Sequence, residues 1–312
     1  MTTTIHAEKV PNHMGADELL IRPRPGTVEV AVDPARAQWR YLSFACMGIA
    51  DGGSVQLGDH ELETAVVIIG GGGLDAKLPG GSVAMSGRPS VWDALPWALY
   101  LPPGHRVTVT ARAAAGYKQV VLAIGQTPPA GHDGVAAEPV VIEPDISAIE
   151  IRGAGHATRQ ITHIMKPDFP ADRLLCVEVY TPGGNWSGWP PHKHDVDDFP
   201  AEAVLEETYF YQVRRPEGWG IQRLYQKDGT RDNFWAIRNG DLVLMPDGYH
   251  PFSAAPQYDA YYLNFLAGDR RTMANRDDAE LAWIRATFES TPTDPRVPLV
   301  TATTARRSGS IA

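Results

Sequence analysis

Two segments, one in each half of the chain, repeat a pattern of an apolar run, a proline–glycine turn and a histidine. The first reads ALYLPPGHRVTV from residue 98, and the second reads LVLMPDGYHPFSA from residue 242. An apolar run that ends at proline and glycine is typical of a β-strand followed by a tight turn. The similarity indicates a duplicated β domain, and a chain of 312 residues has room for two.

Other strand-like runs, separated by glycine and proline, occupy both halves of the chain. The clearest are TVEVAVD, TAVVIIGGGG, KQVVLAIG, LLCVEVYTPGG, ETYFYQV and AYYLNFLAG. Several alternate apolar and polar residues, which is the period of a half-buried strand. The stretch 125–139, rich in glycine, proline and alanine, predicts a connection between domains. We therefore predict an all-β chain with domains over residues 1–135 and 136–312.

A helical pattern is visible near the C-terminus, in DDAELAWIRATFES at residues 277–290. Its apolar residues Leu281, Ile284 and Phe288 are spaced by three and four, which is the period of one helix face. We predict a helix there that braces the second domain.

The charge balance excludes some classes of partner. The chain has 28 Lys and Arg against 37 Asp and Glu, a net charge of −9, and no basic block, which argues against nucleic acid and anionic membranes. The N-terminal residues lack the pattern of a signal peptide, and no apolar run is long enough to span a bilayer. Cys46 and Cys176 lie in apolar runs without a CxxC motif, so we expect buried thiols in a cytoplasmic protein.

The stretch NWSGWPPHKHD, residues 185–195, places His192 and His194 one residue apart. On a strand, residues two apart point to the same face, so both imidazoles can reach one metal ion. The preceding Pro190 and Pro191 restrict the backbone and favour a preorganised pair.

Two later segments supply further donors. In LEETYFYQV, Glu206 and Glu207 are neighbours, so only one can face inward; Glu207 would share a face with Tyr209 and Tyr211. In GDLVLMPDGYHP, a strand and a tight turn precede His250. Three histidines and one glutamate suit Zn²⁺, Mn²⁺, Fe²⁺ or Ni²⁺, and do not suit Ca²⁺ or a thiolate site.

The combination of His-x-His, a glutamate opening an aromatic strand, and Pro-x-Gly-x-His resembles the two motifs of cupins, which are jelly rolls. Two departures stand out. Glu207 follows His194 by 13 residues, so DVDDFPAEAVLE is an insertion, and Tyr249 alone separates glycine from His250.

With these departures, PGGNWSGWPPHKHD, LEETYFYQV, GDLVLMPDGYHP and AYYLNFLAG resemble the 5-deoxy-glucuronate isomerases of myo-inositol catabolism. These are related to the 5-keto-4-deoxyuronate isomerases of pectin breakdown. The resemblance implies a bicupin with a degenerate first domain and a metal-bearing second one. It also implies interconversion of 5-deoxy-D-glucuronate and 2-deoxy-5-keto-D-gluconate. The implied metal ligands are His192, His194, Glu207 and His250, with Zn or Mn expected and Fe or Ni as alternatives.

Candidate substrate residues follow from the chemistry of a sugar acid. Arginine is the natural clamp for a carboxylate, and Arg223 is the first choice and Arg159 the second. Tyr262 and Asn264 share a strand face and could contact hydroxyl groups. With Glu207, we expect Arg223 and Tyr262 to act in catalysis. The general base stays open between Glu206, a metal-bound water and a tyrosine.

Other functions fit the same motifs. The 5-keto-4-deoxyuronate isomerase reaction is one, and an iron-dependent cupin dioxygenase with the same donors is another. A sugar-binding bicupin without catalysis is a third. We expect a small-molecule sugar-acid substrate and a homo-oligomer, since apolar sheet edges in cupins often pair between subunits.

Overall fold

The structure, a computed structural model, describes residues 13–302. Most of these residues form short antiparallel strands. In the first half the strands are β1 (Leu20–Ile21), β2 (Val30–Val32), β3 (Ser43–Ala50), β4 (Ser54–Leu57), β5 (Glu63–Gly70), β6 (Gly72–Leu78), β7 (Gly81–Arg88), β8 (Ala98–Leu101), β9 (Val107–Ala113) and β10 (Gln119–Thr127). Helices α1 (Ala16–Leu19) and α2 (Pro34–Ala37) are single turns.

The second half continues the same architecture. Its strands are β11 (Val140–Ile142), β12 (Ala148–Arg152), β13 (Arg159–Met165), β14 (Leu175–Thr181), β15 (Trp186–Ser187), β16 (His192–Lys193), β17 (Leu205–Val213), β18 (Gly220–Tyr225), β19 (Asp232–Ile237), β20 (Leu242–Met245), β21 (Phe252–Ala254), β22 (Ala260–Gly268) and β23 (Arg276–Asp277). Helix α3 (Ile284–Thr287) and 3-10 turns at Gly155–Ala157 and Phe288–Ser290 complete the described elements.

Each half forms a sandwich of two sheets. In the first, the sheet β11-β8-β5-β10-β3-β2 faces the sheet β4-β9-β6-β7 across an apolar core. In the second, the sheet β1-β20-β17-β22-β14-β13-β12 faces β15-β21-β18-β19. Aromatic rings fill the second sandwich, where Tyr211 and Phe252 on opposite sheets have ring centres 5.1 Å apart. The all-β prediction is confirmed, and the strand order β8-β5-β10-β3 repeats as β20-β17-β22-β14.

The two halves exchange short strands. Strand β1 comes first in the chain but pairs with β20 of the second sandwich, while β11 follows the first sandwich in sequence and pairs with its β8. The chain therefore crosses from the second sandwich to the first after β1, and from the first to the second after β11. The domain boundary at residues 135 and 136 stays a prediction, and this exchange means that neither large sheet is built from one side of it alone.

The two large sheets pack back to back on their outer faces. Phe44 of β3 lies 5.5 Å from Phe210 and 6.0 Å from Phe265, measured between ring centres. A Cβ atom at Gly125 of β10 would stand 2.6 Å from the Phe265 ring, so a side chain there would push the sheets apart. Alternation along β17 therefore sends Phe210 to the interface and its neighbours Tyr209 and Tyr211 into the second sandwich.

Two glutamates at matching positions cross the interface. Glu63, which begins β5, accepts hydrogen bonds from the backbone N–H groups of residues 172–174 at 2.6–2.9 Å. Glu206, near the start of β17, accepts from the backbone N–H groups of residues 40–42 at 2.6–3.0 Å. Each carboxylate thus satisfies three backbone donors of the other domain, and charge-assisted bonds of this kind are among the stronger ones in proteins.

A buried ion pair also joins the domains. Arg88, at the end of β7, donates to both oxygens of Glu178 on β14, and neither side chain is exposed. Tyr180 and Tyr261 donate their hydroxyls to the same carboxylate, at 3.1 and 2.8 Å. Because all four groups are satisfied together, the pair can lie in an otherwise apolar interface.

The predicted C-terminal helix is much shorter than the pattern suggested. Only Ile284–Thr287 is α-helical, with a 3-10 turn after it and no buried side chain in either. Asp277 instead forms the strand β23 and pairs with His192. The long-range pairing to β16 therefore outweighs the local helical period, and the prediction of a helix over residues 277–290 was wrong in extent.

Candidate metal centre

Three of the predicted donors meet inside the second sandwich. Glu207 Oε2 lies 2.9 Å from His194 Nε2 and 3.4 Å from His250 Nε2. The three donor atoms lie within 4.8 Å of one another, and all three side chains are buried. Among residues 13–302, this is the one group of three or more His, Cys, Asp or Glu side chains close enough to share an ion.

The long insertion does not separate His194 from Glu207. Leu205 N donates to the His194 carbonyl at 3.0 Å, and Leu205 O lies 3.0 Å from His194 Nδ1. Residues 195–204 therefore form a loop whose two ends lie next to each other, between His194 and Leu205. The fully buried Glu202 organises this loop by accepting from Asp195 N and Val196 N at 2.9 and 3.0 Å.

Backbone carbonyls set the protonation of two imidazoles. His194 Nδ1 lies 3.0 Å from Leu205 O and His250 Nδ1 lies 2.8 Å from Gly248 O, and a carbonyl can only accept. Each Nδ1 therefore carries the hydrogen, and in the neutral ring the lone pair is on Nε2, toward Glu207. His250 Nε2 is buried without a well-aligned hydrogen bond among the described residues. A backbone-oriented imidazole with an unused inward nitrogen is how metal-binding histidines are usually held.

Burial favours the uncharged forms of these groups. It raises the pKa of the Glu207 carboxyl to about 7 and lowers the pKa of His250 to about 4, with the charge of His194 lowering it further. The pKa of His192 is well below its usual value, again mainly by burial. The imidazoles of His192 and His250 are thus unprotonated at neutral pH, and one proton lies between Glu207 Oε2 and His194 Nε2 in their 2.9 Å hydrogen bond. A divalent ion would replace that proton, so the donor set fits a metal.

His192 lies beside this group but outside its tightest part. Its ring centre is 4.8 Å from that of His250 and 6.4 Å from that of His194. Strand β16, which carries it, pairs with β23, and the indole rings of Trp186 and Trp189 contact each other before it, tilted by 49° with centres 5.0 Å apart. The backbone is therefore supported on both sides of His192.

The two neighbouring glutamates have separate environments. Glu206 faces the domain interface through its three backbone bonds, whereas Glu207 faces His194. Because successive side chains of β17 point to opposite faces of the sheet, one residue cannot face both the interface and the inside of the sandwich. This placement removes Glu206 from the candidates for a general base acting in the second sandwich.

The second-choice arginine, Arg159, lies on the inner face of the large sheet. The strand registers connect its face through Ile161 and Val179 to Tyr262. Its side chain is 4% exposed, and Nη1 donates to Ala157 O and Trp189 O at 3.1 Å each. None of the ion pairs formed within residues 13–302 includes it.

Tyr262 and Asn264 lie on the same inner face. Tyr262 stacks on Tyr209 with ring centres 4.6 Å apart, and Tyr209 in turn stands edge-on to His250 at 5.8 Å. Burial raises the pKa of Tyr262 to about 12, so its hydroxyl is a hydrogen-bond donor at neutral pH. Asn264 donates its amide to Thr208 O at 3.2 Å.

The structure does not bring Arg223 to this site. Arg223 makes a two-point ion pair with Asp232 at 2.8 and 3.0 Å and lies over the ring of Tyr225 on the outer face of β18. Its neighbour Gln222 faces inward and accepts the hydroxyl hydrogen of Tyr211. The prediction of Arg223 as a substrate and catalytic residue is therefore corrected, because the strand alternates in the opposite phase.

One supporting residue was not singled out from the sequence. Asp195 directly follows His194, and its Oδ2 accepts from Gly248 N at 2.8 Å. Since Gly248 precedes His250 by two residues, Asp195 fixes the turn of one motif to the strand of the other. Its position next to the histidine pair was the only available signal.

Comparisons with known proteins agree with this architecture. The sequence pattern of the KduI/IolB family matches residues 19–284. A protein of Geobacillus kaustophilus named 5-deoxy-glucuronate isomerase is 35% identical over 278 residues, covering 88% of this chain and 94% of that protein. One from Listeria monocytogenes with the same name is 32% identical over 84% of this chain and 94% of its own length. Within residues 13–302, no helix is long and apolar enough to cross a membrane.

Solved structures show the same fold. The crystal structure of an IolB-like protein from Salmonella typhimurium has a TM-score of 0.79 and 32% identity, covering 86% of this chain and 99% of that one. An oxalate decarboxylase of Lactobacillus farciminis, at 11% identity and a TM-score of 0.59 over 90% of this chain, shares the fold alone. The cupin fold is confirmed, and the chain belongs to the KduI/IolB family.

Proposed function

We propose that this protein is a metal-dependent isomerase that interconverts 5-deoxy-D-glucuronate and 2-deoxy-5-keto-D-gluconate. The relatives named 5-deoxy-glucuronate isomerase support the reaction, since they match this chain over most of both lengths. The observation that carries the proposal is the pairing of two features on the inner face of the large sheet of the second sandwich. A buried His/Glu/His group lies on the same sheet face as a buried arginine without a carboxylate partner.

The metal would be held by His194, Glu207 and His250, with His192 completing the set. Its fit is supported by the unused Nε2 of His250 and by the two Nδ1–H groups fixed on carbonyls. When bound, a divalent ion supplies Lewis-acid polarisation of the substrate carbonyl. We propose Zn or Mn, with Fe and Ni as alternatives, because imidazole and carboxylate donors suit all four.

Arg159 would bind the carboxylate of the sugar acid. Only Nη1 of its guanidinium is used, on Ala157 O and Trp189 O, so Nε and Nη2 have no acceptor within residues 13–302. These two nitrogens form the edge that takes a carboxylate in a two-point interaction. Burial lowers the pKa of Arg159 to about 10, so the group stays charged at neutral pH. A buried and unpaired guanidinium is costly, and an anionic substrate would offset that cost.

Tyr262 and Asn264 would contact the hydroxyl groups of the substrate. Tyr262 is a donor at neutral pH, and Asn264 has an amide oxygen that accepts no hydrogen bond within residues 13–302. Together with Arg159 they would fix the sugar by its carboxylate end and along its chain. Such positioning places the carbonyl carbon of the substrate and the neighbouring carbon, between which hydrogen moves, next to the His/Glu/His group.

The test is an assay of 5-deoxy-D-glucuronate conversion with Arg159→Gln and a matched control, Arg214→Gln. Arg214 makes an exposed ion pair with Asp259 at 2.9 Å. We expect Arg159→Gln to raise KM by about 10- to 100-fold, as a charge-assisted bond is lost, and Arg214→Gln to behave as the unmodified protein. An unchanged KM in Arg159→Gln would remove the carboxylate role. Oxygen uptake with the same substrate would favour the dioxygenase alternative.

Three wider aspects belong to the same proposal. We place the reaction in myo-inositol catabolism in the cytoplasm, with no nucleic acid or membrane partner. We also propose a homo-oligomer, because the edge strand β12 carries the exposed side chains Ile149 and Ile151, which are 38% and 37% accessible. Light scattering on the purified protein measures the mass directly, and a monomeric value would contradict this part.

A further inference from the structure

Four ionisable side chains lie together where the large sheet of the second sandwich ends. On β12, Glu150 and Arg152 point to the inner face; on β13, Arg159 and His163 do the same. Arg152 is directly opposite Arg159, and His163 is opposite Ala148. Glu150 is therefore the diagonal neighbour of both Arg159 and His163, at about 7–8 Å between Cα atoms, which long side chains can span.

Glu150 is the carboxylate that could neutralise Arg159, yet it does not. Its Oε1 accepts from Arg152 Nε and its Oε2 from Arg152 Nη2, both at 2.8 Å. His163 Nε2 lies 2.9 Å from the same Oε2. Hydrogen bonds from Arg152, followed by those from His163, lower the pKa of Glu150 to about 2. Glu150 is thus fully ionised at neutral pH and would be a strong partner for any unpaired guanidinium.

The arrangement has a cost that a purely structural role does not explain. Arg152 and Arg159 stand directly opposite each other, and like charges in that relation destabilise a sheet. Arg159 reaches so close to the β12–β13 turn that a Cβ atom at Gly153 would lie 2.8 Å from its Nη1. A simpler solution would pair Arg159 with Glu150, and the sequence instead supplies a second arginine and a histidine to occupy that carboxylate.

We propose that Arg152 and His163 are positioning residues that hold the Glu150 carboxylate away from Arg159 and so keep its guanidinium open for the carboxylate of the substrate. The inference rests on the proposed binding role of Arg159 and adds the reason why that residue stays unpaired. Glu150 acts as an internal competitor for the substrate. How firmly Arg152 and His163 hold the Glu150 carboxylate then sets the affinity of Arg159 for sugar acids.

The first variant is Arg152→Gln, which removes both guanidinium hydrogen bonds to Glu150 and leaves His163 as its remaining partner in this cluster. We expect the released carboxylate to pair with Arg159, raising KM for 5-deoxy-D-glucuronate by about tenfold or more with a much smaller change in kcat. Binding of D-glucuronate, measured by calorimetry, should weaken by the same factor. Arg214→Gln serves as the control for loss of one exposed arginine.

The decisive variant is the double change Arg152→Gln with Glu150→Gln. If Glu150 is the competitor, removing its charge restores KM and D-glucuronate affinity to within about twofold of the unmodified protein. If Arg152 merely attracts the anionic substrate, the double variant stays as weak as the single one, and the proposal fails. The single variant Glu150→Gln completes the double-mutant cycle, from which the interaction between Arg152 and Glu150 is obtained.

A crystal structure of Arg152→Gln tests the inference without any activity. The proposal predicts Glu150 within hydrogen-bond distance of the Arg159 guanidinium. A Glu150 that remains on His163, with Arg159 still unpaired, would overturn it. If instead the unmodified protein neither turns over 5-deoxy-D-glucuronate nor binds D-glucuronate, the proposed function fails, and the crystal structure still decides the position of Glu150.

Discussion

The adjacent residues Glu206 and Glu207 should respond to the same substitution in opposite ways. Glu206→Gln leaves a side chain with one acceptor oxygen where three backbone N–H groups, of residues 40–42, now donate to a carboxylate. All three bonds lose their charged acceptor, and Arg40 N loses its acceptor atom if the amide oxygen takes the Oε2 position that serves Tyr41 N and Leu42 N. Each charge-assisted bond contributes about 1.5–3 kcal/mol. We expect the free energy of unfolding to fall by about 3–5 kcal/mol, a large share of the stability of a typical domain.

Glu207→Gln should spare the fold and damage the metal site. Within residues 13–302, the side-chain hydrogen bond and ion pairs of Glu207 are made with the imidazoles of His194 and His250, and none crosses the domain interface. Removing the one carboxylate donor should weaken divalent-metal affinity by at least about 10- to 100-fold, because even the outer partners of metal ligands contribute that much. Stability of the metal-free protein should not fall.

The assay combines urea unfolding of metal-free protein with a metal-binding titration. Glu63→Gln is the matched control, because Glu63 of the first domain makes the reciprocal three contacts to backbone N–H groups of residues 172–174, at a position without histidines. It should lose stability as Glu206→Gln does and keep full metal affinity. Loss of metal affinity in Glu206→Gln with retained affinity in Glu207→Gln would refute the assignment of the two faces of β17.

Three further predictions follow from the same contacts. Removal of divalent metal by a chelator should abolish turnover and lower the thermal midpoint, and added Zn or Mn should restore both; turnover that survives complete chelation would contradict the metal role. The metal-free protein should lose up to about 3 kcal/mol of stability as pH rises from about 4.5 to above 7. The reason is that the pKa of Glu207 is raised to about 7 in the folded state, which therefore keeps its proton to higher pH than the unfolded state does. Urea unfolding at several pH values measures this pH dependence, and Glu207→Gln should remove it. Arg88→Met should destabilise the protein by about 3–5 kcal/mol, since it leaves Glu178 buried without its cation, and a loss below about 1 kcal/mol would show that the pair is dispensable.

The sequence predicted the features that depend on local pattern. Period-two alternation placed Glu207, Tyr209 and Tyr211 on one face of a strand, and the structure has them inside the second sandwich. The proline–glycine turns marked the ends of β8 and β20, which occupy matching places in the two sheets. Each of these signals lies within about ten residues, so chain topology was not needed to interpret it.

The features that depend on long-range pairing were not predictable in this way. Nothing in the short runs that form β1 and β11 tells which sheet they join, and the two exchange between domains. In GIQRLY, Gln222 and Arg223 are both polar, so alternation left the inward face undecided. Arg159 was ranked second because Arg223 lies in the sequence between the two motifs. Its unpaired state depends on where Glu150 points, which only the packed structure defines.

The most direct test of the central claim is turnover of 5-deoxy-D-glucuronate together with metal content on the same sample. We predict about one divalent ion per chain in the His/Glu/His group and isomerisation that disappears on chelation and returns with added metal. A metal-loaded, folded protein that does not convert 5-deoxy-D-glucuronate would contradict the proposed function, whichever related substrate it then accepted.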